Sequence, residues 1–176
     1  HAVCIYLATA CILVPSVILF FVMLNNEEFS AWNWSQWATR ALFRTRNLFQ
    51  DFPFSGAEMS FGDGLRTPGG ALYYLMAVPV FLTNSSSMCY IFMICLFIAS
   101  CILLFMLIYR SFGLYPAAFG TWIYLSSPLI IQCIKGIWNP GFTPFFIVAA
   151  YYCIFSAIKE ERPNLIKWGM MSIAIG

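Results

Sequence analysis

The sequence predicts an all-α fold: a polytopic membrane helical bundle with juxtamembrane helices in a long first extracytoplasmic loop. Three observations predict it. Of the 176 residues, 61% are hydrophobic and 9% are charged, whereas a soluble domain averages about 25% charged residues. The apolar residues fall in runs near the ~20 residues that a membrane-crossing helix needs. After the first run comes a long polar interval with glycines, prolines, acids and arginines. The net charge of +2, with no single basic block and no zinc-finger or RNA-binding motif, excludes nucleic acid as a partner.

The first apolar run, 3–24, is too long for a signal-peptide core and has no small-residue cleavage site after it. It reads as a retained span, with Pro15 as a tolerable kink. Asn25 and Asn26 can then cap a helix whose first turn carries Glu27 and Glu28, the charge that the helix dipole favours there. From Trp34 the apolar positions recur at three-and-four spacing: Trp37, Ala38, Ala41, Leu42, Thr45, Leu48 and Phe49. Asn33, Gln36, Arg40, Arg44 and Asn47 lie opposite, broken only by Phe43. An amphipathic helix rich in tryptophan and arginine, over about 27–50, is expected to lie in the membrane interface.

Residues 51–79 are the polar centre of the chain. Gly56, Gly62, Gly64, Gly69 and Gly70 stand there with Pro53, Pro68, Asp51, Glu58, Asp63 and Arg66. Glycine admits positive φ and proline fixes φ, so an ordered loop is predicted, and loops held by a scaffold carry reactive groups. The apolar run 71–83 is interrupted by Pro79 and is too short to cross a bilayer, so a second juxtamembrane helix or a re-entrant piece is expected. After a polar hinge at 84–87, spans are expected over about 88–109, 114–134, 142–158 and 165–176 onward. The start at His1 and the stop inside an apolar run lead us to expect the N-terminal part of one transmembrane domain.

Sidedness follows from counting. With the first residue inside, the loop 25–87 and the Trp138-Asn139-Pro140 turn face outward, and Arg110, Lys159 and Arg162 face inward, as the positive-inside rule asks; Lys135 opposes it. Counting 71–83 as a span inverts the order and places Lys159 and Arg162 outside. The expected location is the inner (plasma) membrane, multi-pass, with the active face toward the periplasm or exterior.

Glu27, Glu28, Asp51, Glu58, Asp63, Arg40, Arg44, Arg66 and Lys135 therefore share the outer face. Carboxylates there can act as a general base or hold a divalent metal. Arginine forks pair with phosphate oxygens, so the set suits a lipid-phosphate substrate. Other chemistries find no support. Gly62-Asp63-Gly64 has no preceding strand and no third glycine in register for a dinucleotide site. His1 is the single histidine, and the seven cysteines lie in apolar runs without metal or redox spacing. Asn33-Trp34-Ser35 and Asn84-Ser85-Ser86 fit the glycosylation sequon. Tyr73, Tyr74, Tyr151 and Tyr152 read, from their surroundings, as interfacial or packing aromatics.

The segments LRTPGGALYYLMAVPVFL, LLFMLIYRSFG and SSPLIIQCIKGIWNPGFTPFF, in this order after one span and a long loop, resemble the bacterial lipid-linked sugar transferases of the GT-C fold. Those proteins are similar to the protein O-mannosyltransferases and the lipid A aminoarabinose transferase. The likeness rests on Pro68, Gly69, Tyr73 and Tyr74 at the end of the loop. It rests also on Ser127, Pro128, Trp138, Asn139 and Pro140, where the third span closes. The resemblance implies an inverting transfer of a sugar from a polyprenyl-phosphate donor to a glycan, lipid or protein acceptor. It implies a catalytic carboxylate just after the first span, where Glu27 and Glu28 stand in place of the usual Asp-Glu. Relatives often carry a second acid in the next outer turn; this chain has none there, and Glu58 and Asp63 are the candidates to take that part. Arg40, Arg44, Arg66 and Lys135, with Tyr73, Tyr74, Trp138 and Asn139, would bind substrate. No cofactor is required by the resemblance, with a divalent metal as the alternative. The competing reading is a transporter or flippase of lipid-linked intermediates without catalysis, and a third is a structural subunit of a membrane complex. A transporter would place polar residues inside its spans, yet 88–109 contains only Ser100 as a clearly polar side chain.

Overall fold

The computed structural model describes residues 10, 14, 18, 45–47, 70–83, 86–134 and 139–175. The described elements are all helical: α1 (Ala71–Thr83), α2 (Ser86–Phe112), α3 (Leu114–Ser126), α4 (Pro128–Ile134), α5 (Asn139–Lys159) and α6 (Asn164–Ile175). Two stretches, Met88–Phe112 in α2 and Gly141–Lys159 in α5, are long and apolar enough to cross a membrane. They support membrane association. Of the expected first span, Ala10, Val14 and Ile18 are described and helical; the rest of it, the expected interfacial helix apart from 45–47, and the loop 51–69 lie outside the described residues.

α1 starts where the glycines stop, with Tyr73 N–H donating to Gly70 O at 2.9 Å. Its 13 residues reach roughly 20 Å, short of the ~30 Å hydrocarbon layer. Tyr73, Met76 and Val80, at helical spacing, turn into the core. Pro79 sits inside the helix, and the Thr83 hydroxyl donates to its carbonyl at 2.8 Å.

α2 is the central helix and packs against α1, α3, α4 and α5. Its 27 residues extend roughly 40 Å, more than the layer requires. It ends at Gly113, whose φ of 87° and ψ of −170° form a conformation open almost only to glycine. Gly113 N–H donates to Tyr109 O at 3.0 Å, the last helical bond of α2. No atom lies within 4 Å of where a Cβ would stand. Glycine is therefore required by the backbone, not by crowding.

The run expected as one span over 114–134 is two helices. Ser127 is extended, with φ −66° and ψ 119°. The Pro128 ring disfavours helical geometry at the residue before it, and the helix stops there and restarts at the proline itself. α5 begins at Asn139, ahead of the expected 142. Pro140 falls in the first turn, where its missing N–H costs no helical hydrogen bond. α5 closes at Glu161, a left-handed residue with φ 52°. There Arg162 N–H reaches Ala157 O at 3.0 Å, the six-to-one bond of a Schellman turn. Pro163 follows, and α6 runs back along α5.

The core joins Tyr73, Met76 and Val80 of α1 to Cys89, Tyr90, Met93, Phe97 and Cys101 of α2, Leu125 of α3, and Phe142 and Phe146 of α5. The first turns of α5 thus share a cluster with the first half of α2. At the other end Arg110 of α2 meets Glu160, just after α5, at 2.9 Å. Matched at both ends, α2 and α5 run parallel. Small residues lie at the contacts between antiparallel neighbours. A Cβ on Gly120 would stand 2.8 Å from Ile108 Cδ1, and one on Gly169 would stand 2.8 Å from Ile154 Cγ1 and 3.3 Å from the Ala150 carbonyl oxygen. Away from the core, α3 presents Tyr115, Phe119, Trp122 and Ile123 outward, an apolar face of the kind a lipid layer covers.

Gly113→Ala is expected to destabilise the protein by about 1–3 kcal/mol through backbone strain alone. Gly120→Ala is the control: Ile108 can turn its terminal methyl away, and alanine gains about 1 kcal/mol of helix propensity, so it stays near neutral. Thermal unfolding of both variants in detergent micelles checks the contrast.

Candidate functional site

Polar side chains are sparse in this bundle, so the places where they gather are informative. One is buried. Ser100 of α2 donates its hydroxyl proton to Phe97 O at 2.6 Å. Its oxygen lies 3.0 Å from the Tyr124 hydroxyl of α3. Because Ser100 has one proton and the carbonyl takes it, Tyr124 is the donor between the two hydroxyls. The Phe97 and Tyr124 rings stack beside this bridge with centroids 5.8 Å apart. Thr121, one turn before Tyr124, is also buried, and its Oγ1 has no hydrogen-bond partner among the described residues. The Ser100–Tyr124 bridge fastens α2 to α3 and commits the one hydroxyl proton of Ser100 within the protein.

The second gathering stands where α2 and α5 end. Arg110 Nη1 donates to Glu160 Oε1 at 2.9 Å and to Ser156 Oγ at 3.4 Å. The guanidinium lies 5.3 Å from the centre of the Tyr152 ring. Lys159 Nζ donates to the Arg110 carbonyl and lies 5.7 Å from the centre of the Phe155 ring. Arg162 approaches the other Glu160 oxygen at 3.6 Å. Partly exposed ion pairs contribute at most about 1 kcal/mol. The arrangement holds the two helix ends in register more than it stabilises the fold. Reading the sequence placed Arg110, Lys159 and Arg162 on one side but did not identify Glu160 or Ser156. Arg110 and Glu160 are 50 residues apart, and no local pattern signals their pairing.

Catalysis is expected at the opposite end. Glu27, Glu28, Arg40, Arg44, Glu58, Asp63, Arg66, Lys135 and Trp138 lie outside the described residues. Asn139 is the first residue of α5. Tyr73 is 1% exposed and belongs to the core, whereas its neighbour Tyr74 is 42% exposed. Of the tyrosine pair, Tyr74 is thus the member that reaches outward. Among the described residues no group of three His, Cys, Asp or Glu side chains comes together to hold a metal ion. What the structure does bring together are the helices that follow the two motif-bearing segments: Tyr73 of α1 and Phe142 of α5 share one buried cluster.

Removing either member of the buried bridge separates two effects. Tyr124→Phe deletes a donor and leaves Ser100 bonded to Phe97 O, at an expected cost of about 0.5–1.5 kcal/mol. Ser100→Ala strands the Tyr124 hydroxyl in the interior and should cost about 1–3 kcal/mol. Denaturant titration of the two variants checks the order. No protein-family model, no curated protein and no solved structure matches this chain.

Proposed function

We propose that the protein is a membrane glycosyltransferase that moves a sugar from a polyprenyl-phosphate donor to an acceptor hydroxyl at the outer face of the membrane. One observation carries this reading furthest. The segments with the family-like motifs, around Pro68–Tyr74 and Trp138–Pro140, adjoin helices that pack into one apolar cluster. α1 and the first half of α2 share their apolar cluster with the first turns of α5. A loop of acids and arginines before α1 and a tryptophan–asparagine–proline turn before α5 can then border one aqueous pocket. The charge distribution also favours transfer over transport. Among the described residues, charged side chains occur only at helix ends and in turns, and Ser100 is bonded within the protein. A transporter is expected to place such groups near the midplane.

In this mechanism Glu28 or Glu27 accepts the proton of the acceptor hydroxyl. The oxygen attacks the anomeric carbon as the bond from that carbon to the phosphate oxygen breaks. Polyprenyl phosphate leaves with the electron pair, and the configuration inverts. Arg66, with Arg40, Arg44 or Lys135, stabilises the charge growing on the phosphate. Glu58 and Asp63 are the further acids of the pocket, and are the groups that would hold a divalent metal if one takes part. Tyr74, Trp138 and Asn139 border the substrate, with Tyr73 packed behind Tyr74. The site faces the periplasm or exterior of a multi-pass protein in the inner membrane.

Cysteines introduced at Gly64 and at Gly136 are expected to react with a membrane-impermeant maleimide from the same side of oriented vesicles. Labelling from opposite sides leaves no shared pocket and ends the proposal. In the intact protein, Glu27→Gln and Glu28→Gln are each assayed for transfer of radiolabelled sugar from a polyprenyl-phosphate donor. Loss of the base lowers the rate by about 10²–10⁴. Wild-type transfer in both variants and in the double variant removes the base from these positions.

A further inference from the structure

The end of the bundle away from the proposed transfer site carries charge that the reaction does not use. We propose that this end is a binding surface for the acidic, phosphate-bearing headgroups of bilayer lipids. The cations come from three elements. Arg110 lies in the last turn of α2, and Lys159 in the last turn of α5. Arg162 lies in the turn that follows, and Lys167 in the first turns of α6. The described acids beside them are Glu160 and Glu161, so the surface is positive on balance.

The acids are also unequal to the cations in reach. One oxygen of Glu160 takes the Arg110 guanidinium at 2.9 Å, and the other faces Arg162 at 3.6 Å. Lys159 donates to the Arg110 carbonyl, which neutralises the negative end of the α2 dipole. An anion approaching this end therefore meets neither an open carboxylate at Glu160 nor a bare helix C-terminus. It meets Arg162, 69% exposed, and Lys167, which is also exposed, with the exposed acid Glu161 beside them.

The neighbours of these cations decide which anion fits. Tyr109, Phe112, Tyr115 and Trp168 stand exposed at the same end, on α2, α3 and α6. Aromatic rings with a polar edge settle at the boundary between headgroups and hydrocarbon. A free phosphate would neutralise the cations but leave these rings in water. A lipid with an acidic headgroup satisfies both at once, because its phosphate meets the cations and its glycerol and upper chain cover the rings. This surface is independent of the transferase reading, since none of its residues belongs to that pocket.

The test exchanges the intact protein into equimolar phosphatidylcholine and phosphatidylglycerol, purifies it in mild detergent, and measures the retained lipids by mass spectrometry. Phosphatidylglycerol is expected to be enriched over phosphatidylcholine, and the enrichment to weaken in high salt. Arg162→Gln and Lys167→Gln, both at exposed positions, should each reduce the enrichment by up to about fivefold, the contribution of one cation near an anionic surface. The charge-preserving pair Arg162→Lys and Lys167→Arg should retain it. Equal retention of the two lipids by the wild type overturns the proposal. So does unchanged enrichment in the double glutamine variant, with circular dichroism showing that it is folded.

Discussion

In a hydrocarbon layer there is no water to complete a hydrogen bond, and a polar group left alone there costs several kcal/mol. Helices meet that demand for the backbone, and the described apolar runs are helical apart from the break at Ser127. The same demand governs the hydroxyls. Ser100, Ser111, Ser126 and Thr83 each donate to a carbonyl three or four residues back in their own helix. Ser126 does so on the outward face of α3, beside exposed Trp122 and Ile123. A serine bonded to its own helix can face lipid without a partner from another element. The interhelical polar contact between α2 and α3, Ser100 with Tyr124, is placed where both helices bury it.

Breaks in the helices fall where this constraint relaxes or where the chain supplies its own substitute. The α2–α3 turn closes with Gly113 bonded to Tyr109 O, and the α5–α6 turn closes with Arg162 bonded to Ala157 O. Both turns sit at the charged end. Between α3 and α4 the break is internal to an apolar run, and the backbone is spliced by Ser127 N–H to Tyr124 O and Ile131 N–H to Ser127 O. A proline-induced interruption inside an apolar segment is tolerable when the freed groups find partners this close.

Some of this architecture was legible in the residues. The helix over Ala71–Thr83 has glycines before it and a polar hinge after it, and both of its expected bounds coincide with those observed. The split at Ser127 was less legible. Apolar composition marks a run as a span but does not show where a proline divides it. The division between Tyr73 and Tyr74 was hidden for a related reason: α1 is apolar on every side, and periodicity cannot tell the buried face of such a helix from the exposed one. The ion pair of Arg110 with Glu160 left no trace in sequence, because charges 50 residues apart meet only through the parallel alignment of two long helices. Of the candidate site, the residue types and their order along the chain were readable; their geometry depends on the loop 51–69, which lies outside the described residues.

That parallel alignment also separates two chemical environments. α2 alone, with its 27 residues, sets its ends roughly 40 Å apart, beyond the ~30 Å depth of a hydrocarbon layer. α5 starts and stops beside it, so the segments before the two helices share one end and the charges after them share the other. Charges separated by such a distance interact weakly where salt screens them, over about 8–10 Å. Each end can therefore keep its own electrostatic character. Arg110 and Lys159 then need not disturb the transfer site proposed for the opposite end. A single helix pair, held in register by an apolar cluster at one end and an ion pair at the other, gives the chain two surfaces that can be altered independently.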